Sequence, residues 1–231
     1  MTGLAEKRSA RRSVVRPQAA AGIVLLRRSA KGAEVLLGRR NARLRFMPGY
    51  YVFPGGRLDP GDRQESGFAE PPSPPPGPGA DGLTTRLFPA LRRAAIRETW
   101  EETGLLLADS EASLTSDAES TPGVWQDYRR AGLAPAFGQL SFVARAITPP
   151  QSPIRFHSRF FLCCTDEVAL GGRLAGDGEL EDLDWRPARS LDALPMADVT
   201  RAVLQEALHR LEQPERPACL FLYRQGRIRR R

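Results

Sequence analysis

The chain has 231 residues, more than the usual ~100 to 150 of one domain but compatible with a single core carrying insertions. Its net charge of +7 comes from 34 basic against 27 acidic residues, and only Lys7 and Lys31 of the basic set are lysine; arginine spread this evenly reads as a compositional habit, so a nucleic-acid partner is not expected. Three cysteines, two adjacent at Cys163 and Cys164, fit neither a disulfide framework nor a zinc spacing, and the absence of a signal-peptide pattern and of any ~20-residue apolar run points to a cytoplasmic protein without membrane partners.

In chain order, a basic arm over 1–17 (Lys7, Arg8, Arg11, Arg12, Arg16) precedes AAAGIVLLRR (19–28) and AEVLLGRR (33–40), two strands joined by a turn at Ala30 to Gly32. YYVF (50–53) reads as a further short strand. From about 60 to 89 the proline and glycine density forbids regular structure and predicts a mobile or extended surface loop. A helix is expected from Pro89 to Thr103, then a polar stretch over 109–137 holding a short helix around VWQDYRRAGL. LSFVARAIT (140–148), SRFFLCC (158–164) and LEDLDWRP (180–187) read as strands, and MADVTRAVLQEALHRL (196–211) as an amphipathic helix. One domain over 18–215 follows, with a C-terminal segment, 216–231, whose tail (Arg227, Arg229, Arg230, Arg231) is expected to be a solvated end. Strands, helix, strands, helix imply an α+β protein with a mixed sheet flanked by helices.

Within the first long helix, RETWEETG (97–104) packs three glutamates into five positions. At about 100° per residue, Glu98, Glu101 and Glu102 share one face at i, i+3 and i+4. Ile96 and Trp100 face the other way, toward a core, and Gly104 is a C-terminal stop. Two readings stand. A solvated amphipathic helix would pair Arg97 with Glu101 at i, i+4. A cation site would use the clustered carboxylate oxygens, which suit the hard ions Mg2+ or Mn2+.

FPGG (53–56) ahead of RETWEETGL (97–105) resembles the signature of the Nudix hydrolases, G-x5-E-x7-R-E-U-x-E-E-x-G-U with U a bulky apolar residue. Arg97, Glu98, Glu101, Glu102, Gly104 and Leu105 match, with Thr99 in place of an aliphatic. Asp62 stands five residues after Gly56 in place of glutamate, and 34 residues (63–96) separate it from Arg97 instead of seven, an insertion of 27. A split box with a Pro-rich insert resembles the branch that contains the peroxisomal coenzyme A diphosphatases, and ITPPQSPIRFHSRFF (147–161) resembles a segment of that branch with His157 where aspartate is expected. The resemblance implies a Nudix-type α/β/α sandwich and metal-dependent hydrolysis of a nucleoside diphosphate linked to another group.

On that resemblance, Glu98, Glu101 and Glu102 would hold Mg2+ or Mn2+, with Glu101 also catalytic, and Arg97 would orient the carboxylates. Gly55 and Gly56 would let the backbone approach helix and substrate closely. For the general base, GDGELEDLDW (176–185) offers Glu179, Glu181 and Asp182, with Glu179 first; an ordinary acidic turn is the alternative. LLGRRNARLRFMPGYYVFPGG (36–56) keeps the length of a pattern associated with coenzyme A hydrolysing Nudix proteins, so Arg39, Arg40 and Arg45 are candidates to grip the phosphates of coenzyme A. ADP-ribose, nucleotide sugars or dinucleotides are the alternative substrates, a non-catalytic ligand or nucleic-acid binding module is the second alternative, and a homodimer is left open.

Overall fold

The computed structural model describes residues 14–72, 83–109 and 123–231. The first strand, β1 (Gln18–Ser29), turns tightly into β2 (Gly32–Arg40), and short β3 (Tyr51–Val52) and β4 (Gly55–Arg57) follow. A 3-10 turn at Pro60–Arg63 leads through the insertion to α1 (Leu87–Thr103), β5 (Leu105–Ala108) and α2 (Val124–Arg130). Then come β6 (Ser141–Ile147), β7 (Phe156–Cys164), β8 (Ala169–Gly172), β9 (Leu180–Pro187), α3 (Asp198–Glu212), β10 (Cys219–Arg224) and β11 (Arg227–Arg230).

The main sheet runs β11-β10-β6-β7-β1-β2-β3, with β4 also paired to β1 and β9 to β2. It is mixed: β1 with β7 and β6 with β10 are parallel, the other pairs antiparallel. Ala20 to Leu26 of β1 is buried without a break, because the strand is covered on both faces and alternation is lost. On one face Ile23, Leu25 and Phe161 pack under Leu91, Ala95 and Ile96 of α1. On the other, Val24, Leu26 and Leu162 pack under Val203, Leu204 and Ala207 of α3. The result is the expected α/β/α sandwich. Gly104 closes α1 in the left-handed region at φ 71°, donating to the Trp100 carbonyl at 2.7 Å. No helix among the described residues is long and apolar enough to cross a membrane.

Three expectations need correction. The loop expected over 60–89 is packed in its first part: the Phe68 ring meets those of Trp125 and Tyr128 at 6.4 and 6.1 Å, Arg93 pairs with Glu70 at 2.5 Å, and Arg92 donates to the Pro71 carbonyl at 2.7 Å. Buried side chains supply what the Pro-rich composition hides. Residues 73–82 of that loop lie outside the described residues, as do 110–122 of the second polar stretch and 1–13 of the basic arm. The arginine tail is solvated as expected, all four arginines being exposed, but it is a strand and not a free end: β11 pairs with β10, which joins β6, and Arg230 and Arg216 clamp the buried Glu206 carboxylate at 2.6 and 2.8 Å. Segment 216–231 thus continues the sheet of 18–215. Finally, β5 and β8 form a separate two-stranded sheet that the sequence pattern missed, being only four residues each.

Candidate active site

Helical spacing delivers the three box glutamates to one end of α1, and the FPGG turn brings main chain against them. Gly55 has φ 153°, and a Cβ there would sit 2.5 Å from the Ala21 carbonyl oxygen. A Cβ at Gly56 would sit 2.4 Å from the Glu98 carboxylate. No other residue type leaves room for the helix to approach β4 this closely. The Gly55 N–H donates to Glu102 Oε2 at 2.7 Å, which holds that carboxylate in place although only 2% of the residue is exposed.

Arg97 is the hub of the acidic face. Its Nε and Nη2 donate to the two oxygens of Asp62 at 2.9 and 3.0 Å, a planar fork on a planar carboxylate. Nη1 reaches Glu101 Oε2 at 2.7 Å and Glu98 Oε1 at 2.9 Å, and Nη2 also donates to the Arg57 carbonyl at 3.0 Å. The helical Arg97–Glu101 pair exists, yet it is one arm of a larger network. Asp62, the aspartate that stands where the signature has glutamate, is 2% exposed and accepts a further bond from the Asp59 N–H at 2.8 Å. Because the insertion folds back here, an acid 35 residues upstream of Arg97 still serves it. Thr99, the departure from an aliphatic, is fully buried and satisfies its hydroxyl on the Ala95 carbonyl at 2.8 Å.

Burial raises the Glu98 carboxyl to about 7, with the charges of Glu101 and Glu179 adding to the rise and Arg97 opposing it. Burial likewise raises Glu102 well above the carboxylate range, with Glu98 and Glu179 adding, while the Gly55 N–H and Arg40 pull it down. Burial alone would lower Arg97, but the Asp62 hydrogen bond and the charges of Glu98, Asp62 and Glu101 keep it far above its ordinary value. Such raised carboxyls mark a site where burial and crowded like charge outweigh the neighbouring arginines. Among the described residues no three carboxylate, imidazole or thiol groups converge into a ready-made cation cage, since Arg97 occupies Glu98 and Glu101 and Gly55 occupies Glu102. The donor chemistry nevertheless fits a hard divalent cation: clustered hard oxygens, from buried Glu102 to exposed Glu101, mutually repelling and relieved when a cation neutralises them.

These groups border a cleft of about 860 Å3, lined by the polar Glu98, Glu101, Glu102 and Arg97 and by the apolar Phe46, Phe156, Phe160 and Met196. Gly55, Gly56, Arg40 and Glu179 also line it. Arg39 and Arg45 do not. Consecutive residues on a strand point to opposite sides, so Arg39 turns away and pairs with Glu181 at 3.2 Å, while Arg45 is exposed on the 41–49 loop. Of the three arginines expected to grip phosphate, only Arg40 enters the cleft. Asp182 accepts a short hydrogen bond from the Tyr51 hydroxyl and pairs with Arg186 at 2.9 Å, and Glu181 is taken up by Arg39 and Asn41, so Glu179 alone of the acidic loop borders the cleft. His157 lies between the cleft residues Phe156 and Ser158 but does not line it; burial and the neighbouring Arg159 and Arg145 lower its pKa to about 4.

No known family profile matches the chain. It is 34% identical to a solved structure, the NUDIX hydrolase from Alicyclobacillus acidocaldarius, with 84% of this chain and 91% of that one covered at a TM-score of 0.62. It is 30% identical to the acyl-coenzyme A diphosphatase NUDT19 of Homo sapiens, over 60% of this chain. The chain spans about half the length of that curated relative, 49%.

Proposed function

The chain belongs to the Nudix hydrolase family, and from that premise we propose that it hydrolyses the pyrophosphate of a nucleoside diphosphate linked to another group, with coenzyme A or an acyl derivative as substrate. The observation that carries this reading is the pair of raised carboxyls, half-buried Glu98 and buried Glu102, pressed against Gly56 and Gly55 on the wall of a large cleft. The human relative, an acyl-coenzyme A diphosphatase by name, motivates the choice of substrate.

In this proposal Glu98, Glu101 and Glu102 hold Mg2+ or Mn2+, which when bound neutralises the pyrophosphate and acidifies water. Arg97 fixes the carboxylates through its bonds to Glu98, Glu101 and Asp62. Glu179, at the edge of the same cleft, accepts a proton from the attacking water. One P–O bond forms, the bridging P–O bond breaks, and coenzyme A yields 3',5'-ADP and phosphopantetheine. The apolar lining at Phe46, Phe156 and Met196 takes the uncharged part of the substrate.

A second reading is favoured by the positions of Arg39 and Arg45. With both outside the cleft, little positive charge is left to recognise a 3'-phosphate, so ADP-ribose, nucleotide sugars or dinucleotides stay in contention. A panel of these pyrophosphates with coenzyme A, dephospho-coenzyme A and acyl-coenzyme A, assayed with Mg2+ or Mn2+ and product identification, decides. Brisk hydrolysis of ADP-ribose or a dinucleotide without coenzyme A cleavage would overturn the substrate assignment.

A further inference from the structure

We propose that Arg40 is a positioning residue that sets the catalytic loop and the aromatic wall of the cleft together, and not a phosphate ligand. It closes β2, and its side chain is 15% exposed. The guanidinium has two destinations. Nε donates to the Phe46 carbonyl at 2.9 Å, and Nη2 reaches Glu179 Oε1 at 3.4 Å. The main chain of the same residue closes the 41–49 loop, accepting from Gly49 N–H at 2.8 Å and donating to the Tyr50 carbonyl at 2.9 Å.

The two loops are also joined to each other beside this residue. The Asn41 N–H donates to the Glu179 carbonyl at 3.0 Å, and Asn41 Nδ2 to the Gly178 carbonyl at 3.1 Å. Phe46 carries the tether on to the cleft lining, its ring meeting Phe156 edge-on at 5.0 Å. A planar fork holds two acceptors on donors spread over separate nitrogens in fixed directions, whereas a lysine's three donors share one rotatable nitrogen. With donors committed to Phe46 and Glu179, the guanidinium orients the proposed base and the aromatic lining beside it. Met47, in the left-handed region at φ 51°, places the turn of the strap in a conformation that needs such anchorage.

The kinetic arm of the test rests on the hydrolase reading; the structural arm does not. Arg40→Lys keeps the charge and removes the fork. Backbone amide exchange at Asn41, Gly49 and Tyr50, measured without substrate, is expected to quicken by about tenfold or more as both loops loosen. Turnover is expected to fall by roughly tenfold or more for coenzyme A and dephospho-coenzyme A alike, mainly in kcat. Adding Glu179→Gln to Arg40→Lys should then lose less than the product of the two single losses. Unchanged exchange overturns the proposal, and so does a selective rise in KM for substrates with a 3'-phosphate. Should Arg40→Lys not fold, Phe46→Ala, which keeps the carbonyl acceptor and removes the wall, must leave exchange at Asn41 slow; rapid exchange there refutes the tether. If the wild type cleaves no coenzyme A, the substrate reading alone fails, and the exchange arm still decides the role of Arg40.

Discussion

Replacing Asp62 by alanine tests whether the split box is rejoined in space. Asp62 accepts from Arg97 Nε, Arg97 Nη2 and the Asp59 N–H, and it is 2% exposed while the Arg97 side chain is 15% exposed. Removing one partner of a buried pair costs about 3 to 5 kcal/mol when the other charge is left alone. Arg97 is not left alone, because Glu98, Glu101 and the Arg57 carbonyl remain. The expected loss is therefore about 2 to 3 kcal/mol, most of it from the orphaned Nε and the Asp59 N–H. Urea unfolding with an unchanged slope measures it, and in a domain of this size the midpoint of thermal unfolding should drop by roughly 5 to 10 °C. Asp62→Glu restores the residue usual in the Nudix signature, yet the slot is full and the extra methylene is expected to cost about 1 kcal/mol. A loss below about 0.5 kcal/mol for Asp62→Ala would refute the reasoning and return the front acid to irrelevance.

Gly56→Ala places a methyl 2.4 Å from the Glu98 carboxylate, so activity should fall by at least about tenfold while the melting point moves little; wild-type turnover would show that Glu98 is free to move. Glu102→Gln keeps the acceptor for the Gly55 N–H and removes one of the crowded charges, so stability in chelator should rise by about 1 kcal/mol while metal-dependent turnover collapses. A destabilised, fully active Glu102→Gln would contradict both halves. Burial would raise the Glu206 carboxyl, but the Arg216 and Arg230 hydrogen bonds hold it down to about 2 from the ordinary value near 4.5. For a depressed carboxyl the stability is present above pH 4.5 and lost as pH falls toward 2, an amount of about 2 kcal/mol once the half-exposed Arg230 is discounted; Glu206→Gln should flatten that acid limb in a pH series of melting curves. Phe68→Ala, which strips a ring from Trp125, Tyr128 and the overlying Arg129, should cost about 3 kcal/mol, and an unchanged melting point would restore the loop reading of its segment.

What the sequence alone determined is what depends on neighbours in the chain. The common face of Glu98, Glu101 and Glu102 follows from helical pitch, the stop at Gly104 from glycine's tolerance of positive φ, the strands β1 and β2 from apolar runs of the right length, and β6, β7 and β9 from strand-like alternation. The family resemblance adds the box, including the two glycines that the packing against Glu98 and Ala21 demands. Tertiary structure decided the contacts between residues far apart. Asp62 and Arg97 meet because the insertion folds back and anchors through Phe68, Glu70 and Pro71, a closure whose entropy cost grows only slowly with loop length and so leaves no mark in the local pattern. Arg39 and Arg40 look alike in sequence, but which of them enters the cleft depends on which face of β2 is covered, and a shift of one residue would have exchanged them. The tail reads as a run of arginines at solvent until Glu206, buried on α3 and already held by Arg216, gives one of them, Arg230, somewhere to go. Charge and hydropathy are properties of residues, whereas a partner's position is a property of the whole fold.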